Sequence, residues 1–554
     1  MTRSWGMTLA LVGVLSTGAS AQQTGSANDQ PKGKTQKNQP PAATQAPANS
    51  QEPAAKPSEP AAPAPERKPD ATKDGSEGKE DHFDVAEVPS VVTHHQITVD
   101  GKVLHYTATA GRLPIERADG KIEAEMFFVA YTLDGQDPSK RPLPFAFNGG
   151  PGAASVWLHM GALGPKRVML QADGFMPPAP YHFSDNPYTL LDKSDLVFAD
   201  AIGTGFSRAA NAELLKKFWS VKGDIEAFGE FIRLFLTRNE RWSSPLFLFG
   251  ESYGTTRAAG VAGYLADHGI AFNGITLLST ALSFQTLVDN KSNDLPYILL
   301  IPSFTMIAGY HHKLPPDLSQ DVGKARQEAE SWASREYAEA LAKGDGLAPE
   351  ERQKVIEQMA RYTGLSPQVI DDANLRIDVS KFTHYLLLDQ KVRVGRLDGR
   401  VTGPDPDGVL DTPEYDPTES AIVPPYTSVF NNYVRTELEY KSDARYGVLE
   451  EQVEEKWDWG SGIEGFPNTA TALRQALVKN PYLKVLVMEG YYDLATPYYA
   501  ANYTIDHLDL GAKYRQNISI AAYESGHMAY LPTDSLKKMK ADETNFMEKA
   551  WTGE

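Results

Sequence analysis

The sequence predicts an α/β protein: a mainly parallel central sheet with helices on both faces and a helical cap inserted partway along the chain. Three observations predict it. Six short apolar runs, LPFAFNGG, DLVFAD, PLFLFGES, ITLLST, LKVLVME and ISIAAYE, have the length and content of buried strands. Helical stretches such as GDIEAFGEFIRLFLTRN and TTRAAGVAGYLADHG lie between them, and buried strands alternating with helices indicate parallel order. The alternation then stops over residues 284–431, where GKARQEAESWASREYAEALAKG and PEERQKVIEQMARYTG are helical, and resumes only at Leu483. The sheet needs strands from both halves, so the insertion reads as a cap and not as a separate domain.

Taken in order, residues 1–21 contain Arg3, an apolar run over 7–15 and the small residues Ala19-Ser20-Ala21. These are the three parts of a cleaved secretory signal peptide, which implies a secreted or periplasmic protein. The run is too short to span a hydrocarbon layer of ~30 Å. Residues 22–84 are Pro, Ala, Gln, Lys, Ser and Glu with almost no large apolar side chain, so they read as a disordered linker. The core begins at Val85 and its first part runs to residue 283. It opens on SVVTHHQITVDGKVLHYTATAGRLPI, a β-hairpin turning at VDGK, followed by the strand AEMFFVAYTL. Residues 432–554 complete the core.

Composition narrows the function. The 554 residues are 41% hydrophobic and 23% charged, an ordinary globular balance. The formal net charge of −18 argues against nucleic acid as a partner, since phosphate binding needs a basic face. The chain has no cysteine, which excludes disulfides, thiolate catalysis, thiolate zinc sites and a cysteine-linked lipid. Its 12 histidines form no HExxH pattern, and the adjacent His311 and His312 would point different ways on a helix. No metal and no cofactor are expected. No run of ~20 apolar residues predicts a membrane span in the mature protein.

The chemistry gathers in three segments. Gly250-Glu251-Ser252-Tyr253-Gly254 is a GxSxG motif between the strand PLFLF and the helix TTRAAGVAGYLADHG, the strand-turn-helix setting of a nucleophile elbow. A serine hydroxyl needs a base to take its proton, and the expected chain order is serine, acid, histidine. Asp493 follows the strand LKVLVME, and His527 follows the strand ISIAAYE, both past strand ends where an open α/β sheet builds its site. Glu489 and Glu524 are rival acids; His507 sits in a helical stretch and is a surface residue. Asn148-Gly149-Gly150-Pro151-Gly152 follows LPFAF and can aim backbone N–H groups at an oxyanion, from Gly150 and from Tyr253 after the nucleophile.

With these segments in view, FNGGPGAAS, ADAIGTGFS, FLFGESYG, EGYYDLATP and ESGHMAY resemble, in order and approximate spacing, the motifs of the serine carboxypeptidases, the cathepsin A-like family. The resemblance implies an α/β-hydrolase fold with a helical cap. It implies removal of C-terminal residues from peptide substrates at acid pH by a triad of Ser252, Asp493 and His527. It supports Gly150 and Tyr253 as the oxyanion hole, and it implies that Asn148, Gly149 and Glu251 bind substrate, with Asn148 and Glu251 on its terminal carboxylate.

Two departures qualify that expectation. Ala162, in GALGPKR, stands where the family carries a second glutamate. Without that neighbour Glu251 loses one cause of a raised pKa, so at mildly acidic pH it is expected to be ionised more often than the corresponding residue of a two-glutamate relative. Lys166 or Arg167 could take the carboxylate instead, although exposed surface charge is the plainer account of both. Many relatives also brace the cap with disulfides, which this chain cannot form. An esterase or acyltransferase on the same triad is the alternative function. A catalytically inactive binding protein is a third, and it would predict a lost triad member, whereas all three are present. Side-chain preference and oligomeric state leave no mark in the sequence.

Overall fold

The computed structural model describes residue 85 and residues 87–405, 415–460 and 465–552. The expected signal peptide and linker lie outside the described residues. The strands of the main sheet are β1 (Val91–Val99), β2 (Lys102–Glu116), β3 (Ile122–Leu133), β4 (Leu143–Phe147), β5 (Leu196–Ala199), β6 (Leu246–Glu251), β7 (Gly274–Leu278), β8 (Lys484–Gly490) and β9 (Ile518–Tyr523). Their spatial order is β1-β2-β3-β5-β4-β6-β7-β8-β9, and a short strand, Arg208–Ala209, pairs with β3.

The first three strands are antiparallel to their neighbours and the remaining six are mutually parallel. The hairpin turns at Asp100 and Gly101, with φ of 48° and 77°, the left-handed pair that matches strand twist. All six apolar runs named from the sequence are strands of the parallel part. β7 pairs with β8 in register from Gly274 opposite Lys484 to Leu278 opposite Met488. The sheet is therefore closed by strands drawn from both sides of the helical insertion.

Every residue of β6 is buried, because both faces of the sheet are covered. Phe247 and Phe249 point into one apolar cluster, and Leu246 and Leu248 into the other, the period-two alternation of a strand. Helices α1 (Val221–Arg238) and α2 (Tyr253–Asp267) cover the second face through Phe228, Phe231, Ala258 and Ala262. A separate cluster in the insertion forms around α3 (Leu295–Tyr310) and takes in residues as far as Val394, with Tyr492 and Leu494 from the core. Helix α4 (Pro417–Thr436) packs instead into the first face of the sheet, through Tyr426, Val429 and Phe430, in the apolar cluster to which α5 (Thr533–Thr552) also contributes. No helix among the described residues is long and apolar enough to cross a membrane.

Candidate active site

Ser252 occupies the corner between β6 and α2 with φ 61° and ψ −130°, a conformation that costs a non-glycine residue ~1–3 kcal/mol. The corner is tight. A Cβ on Gly250 would stand 2.2 Å from the Gly254 carbonyl oxygen, and one on Gly254 would stand 2.6 Å from that of Phe147. The glycines flanking Ser252 are thus required by backbone contact. Ser252 is the N-cap of α2, yet its hydroxyl makes no capping bond to the helix.

His527 Nδ1 lies 2.7 Å from Asp493 Oδ2. Asp493 is fully buried and His527 nearly so. The Asp493 carboxylate also accepts the N–H groups of Ala495 and Thr496 at 2.8 and 3.0 Å and the Thr496 hydroxyl at 2.6 Å. Burial works to raise the Asp493 pKa, but the His527 charge, its hydrogen bond and those from Thr496 outweigh it, and the carboxylate titrates below its ordinary value. For His527 burial favours the neutral ring, and the adjacent Asp493 overrides it, so the imidazole is more basic than in water. The rival acids do other work. Glu489 is bonded to Asn502 and Glu524 to the Tyr492 hydroxyl.

Ser252 and His527 line one cavity of about 780 Å³, together with Asn148, Gly149, Gly150, Glu251 and Tyr253. Asp493 stands behind His527 and does not line it. A Cβ on Gly149 would be 2.4 Å from the Tyr253 nitrogen, so the loop after β4 presses directly on the start of α2. That contact brings the backbone of Gly149-Gly150 alongside the Tyr253 N–H.

Glu251 Oε2 accepts from Asn148 Nδ2 at 2.8 Å and from the Tyr530 hydroxyl at 2.9 Å. Asn148 is held in that orientation because its Oδ1 accepts the Leu158 N–H at 2.9 Å. Glu251 is not readily ionised even without a second glutamate beside it. Burial pushes its pKa up to about 7, against the lowering effects of His527, Tyr530 and Asn148. Desolvation, with a smaller contribution from the Asp493 charge, raises the pKa as a second carboxyl would have done. Ala162 is buried in the apolar cluster on the first face of the sheet.

Lys166 and Arg167 are committed elsewhere. Lys166 pairs with Asp185 at 2.7 Å, and Arg167 donates to the carbonyls of Tyr530 and Leu531 at 3.1 and 2.9 Å. The arginine that lines the cavity is Arg396, beside Glu419. Sequence reasoning missed Arg396, Thr496 and Tyr530. Thr496 and Tyr530 each lie three residues beyond a named site residue, and only folding turns them back onto Asp493 and Glu251. Among the described residues no three His, Asp or Glu side chains gather as a metal site.

The mainly parallel sheet, with its serine corner at a strand end, is that of an α/β-hydrolase. The chain belongs to the serine carboxypeptidase family, whose model matches residues 102–530; family and fold together support a serine hydrolase. It is 24% identical over 174 residues to serine carboxypeptidase-like 33 of Arabidopsis thaliana, covering 31% of this chain and 34% of that protein. It is 28% identical over 153 residues to serine carboxypeptidase-like 31 of the same plant, covering 27% and 28%. The matched stretches thus span about a third of those relatives or less. Solved structures similar at low level include a proline iminopeptidase from Mycobacterium smegmatis, at 13% identity and TM-score 0.34 over 79% of this chain and 98% of that one. A thermophilic esterase from Thermogutta terrifontis is 12% identical with TM-score 0.30, over 80% and 99%.

Proposed function

We propose that this chain is an exported serine carboxypeptidase that removes C-terminal residues from peptides. The observation that carries the proposal is the meeting, in one cavity, of Ser252 and His527 with a buried carboxyl, Glu251, whose pKa is about 7. In this reading Ser252 Oγ attacks the scissile carbonyl while His527 takes its proton, and Asp493 fixes the ring through Nδ1. The N–H groups of Gly150 and Tyr253 receive the oxyanion, Tyr253 with the added field of the α2 N-terminus. His527 then protonates the departing amine, and water releases the acyl group from Ser252 by the reverse sequence.

Glu251 supplies the specificity. Asn148 and the Tyr530 hydroxyl both donate to Oε2, an arrangement that favours Oε1 as the place for a proton on Glu251. A protonated Oε1 can donate to the substrate's terminal carboxylate, with Asn148 and Gly149 shaping that end of the cavity. Export rests on the leader-like residues 1–21 alone.

The test is to label the purified protein with a fluorophosphonate and then compare blocked dipeptides with free and amidated C-termini and a simple ester. Labelling with preferential cleavage of the free acid is expected. Ester turnover without peptide turnover would favour the esterase or acyltransferase, and no labelling would point to an inactive binding protein.

A further inference from the structure

We propose that the five residues Arg396 to Arg400, contributed by the helical insertion, are a clamp that positions the His527 and Asp493 loops against each other. The proposal rests on the reading of those two residues and Ser252 as catalytic. Each of the five makes a bond to one of the two loops. The Arg396 carbonyl accepts the Leu494 N–H at 3.0 Å, and the Gly399 N–H donates to the Tyr492 carbonyl at 2.9 Å; these grip Asp493 from both sides. The Leu397 carbonyl accepts the His527 N–H itself at 2.6 Å. Asp398 Oδ2 accepts the Gly526 N–H at 3.1 Å, and Arg400 donates to the Glu524 carbonyl at 2.7 Å.

The clamp is held rigid from within. Asp398 Oδ1 accepts both the backbone N–H and Nε of Arg400, at 3.0 and 2.9 Å, and the pair is bridged again through Oδ2. The guanidinium lies 5.0 Å from the Tyr492 ring centroid. Both side chains are largely buried, at 10% and 17% exposure, where a charge-assisted fork loses little to water. The fit leaves no slack. A Cβ on Gly526 would meet the Leu397 carbonyl oxygen at 2.4 Å and Asp398 Cβ at 2.5 Å.

Positioning is the role because none of these bonds reaches the reacting atoms. They set the relative height of two loops on adjacent strands, and through it the 2.7 Å contact between His527 and Asp493. A clamp from the insertion would perform, without cysteine, the bracing of cap against site that disulfides can supply.

The experiment measures kcat and KM of the full chain on a p-nitrophenyl ester for Asp398→Ala, in the wild-type and in the Asp493→Asn background. In the wild-type background kcat is expected to fall about 100-fold, the scale of a ~1 Å misplacement, with KM within about threefold. In the Asp493→Asn background the further loss should shrink to about threefold or less, because the pair it protects is already broken. An equal loss in both backgrounds, a change confined to KM, or undiminished kcat would each overturn the clamp. Should Asp398→Ala not fold, the same comparison on Arg400→Gln decides. A wild-type protein that neither turns over the ester nor labels with a fluorophosphonate would instead remove the reading on which the clamp rests.

Discussion

The Tyr530 hydroxyl, three residues beyond His527, donates to Glu251 Oε2 at 2.9 Å, the same oxygen that accepts from Asn148. Two donors on one oxygen favour Oε1 as the atom that takes the proton. The pair also shows how a lone carboxyl can keep its proton near neutral pH. Burial dominates, and the hydrogen bonds that would favour ionisation only moderate it.

The first prediction is a pH-dependent KM. Below about pH 7 Glu251 carries its proton and can donate to a terminal carboxylate; above it the ionised group repels one. KM for a free-acid dipeptide should therefore rise as pH passes upward through about 7, while KM for the matched amide stays level. Glu251→Gln places a permanent donor at the Oε1 position and should flatten the acid's KM profile. An unchanged profile in that variant would assign carboxylate binding elsewhere, with Arg396 next to be replaced.

The second prediction concerns the triad. Ser252→Ala, His527→Ala and Asp493→Asn should each lower kcat on an acyl substrate by about 10⁴-fold, with unfolding temperature nearly unchanged for Ser252→Ala. Thr496→Val removes one hydroxyl bond to Asp493 and should raise that carboxyl's pKa, since the bond holds it down. Near-normal activity in Asp493→Asn would refute the acid assignment.

Much of this was legible in sequence because the local signals and the fold agree. The six apolar runs have strand length, and Gly250 of GESYG is forced by the backbone of Gly254 four residues on, although Gly254 is forced by the distant carbonyl of Phe147. Asp493 was distinguishable from Glu489 because Glu489 falls inside β8. What could not be read was burial. The Glu251 pKa depends on how completely Tyr530, Asn148 and the α2 corner exclude water, and no motif encodes that. The placement of α4 was equally hidden. Its helical pattern resembles that of the insertion, but Tyr426 and Phe430 find their partners on the sheet. The 396–400 clamp is made mostly of backbone bonds, which side-chain identity does not announce.

The third prediction tests the corner. Gly250→Ala would put its Cβ 2.2 Å from the Gly254 carbonyl, and neither backbone can retreat without moving Ser252. A destabilisation of at least ~3 kcal/mol is expected, read as a lower denaturation midpoint, with loss of fluorophosphonate labelling. Gly346→Ala, whose Cβ would meet nothing within 4 Å, is the control and should leave both unchanged.

The last prediction is a fall in stability from pH 6.5 to 8. Glu251, Glu489 and Glu543 are buried carboxyls with pKa values raised from 4.5 to about 7, 8 and 8. In each the folded group binds its proton more tightly than the unfolded one. Above pH 4.5 the unfolded chain has shed protons that the folded chain still holds, so stability declines as pH rises until the folded pKa is passed. His527, raised above 6.5, acts in the same direction, because its stabilising proton is lost as pH climbs through the folded value. His95, His159 and His311 are lowered by burial; they oppose the trend only below about pH 6.5, where the unfolded histidines take up protons. Between pH 6.5 and 8 the carboxyls therefore dominate. Calorimetry should find the unfolding temperature lower at pH 8 than at 6.5 by about 5 °C. Glu543→Gln keeps an acceptor for the Thr276 hydroxyl, which now bonds the carboxylate at 2.9 Å, but cannot ionise. It should recover part of the drop, and a drop of full size in that variant would show that Glu543 is not among the groups responsible.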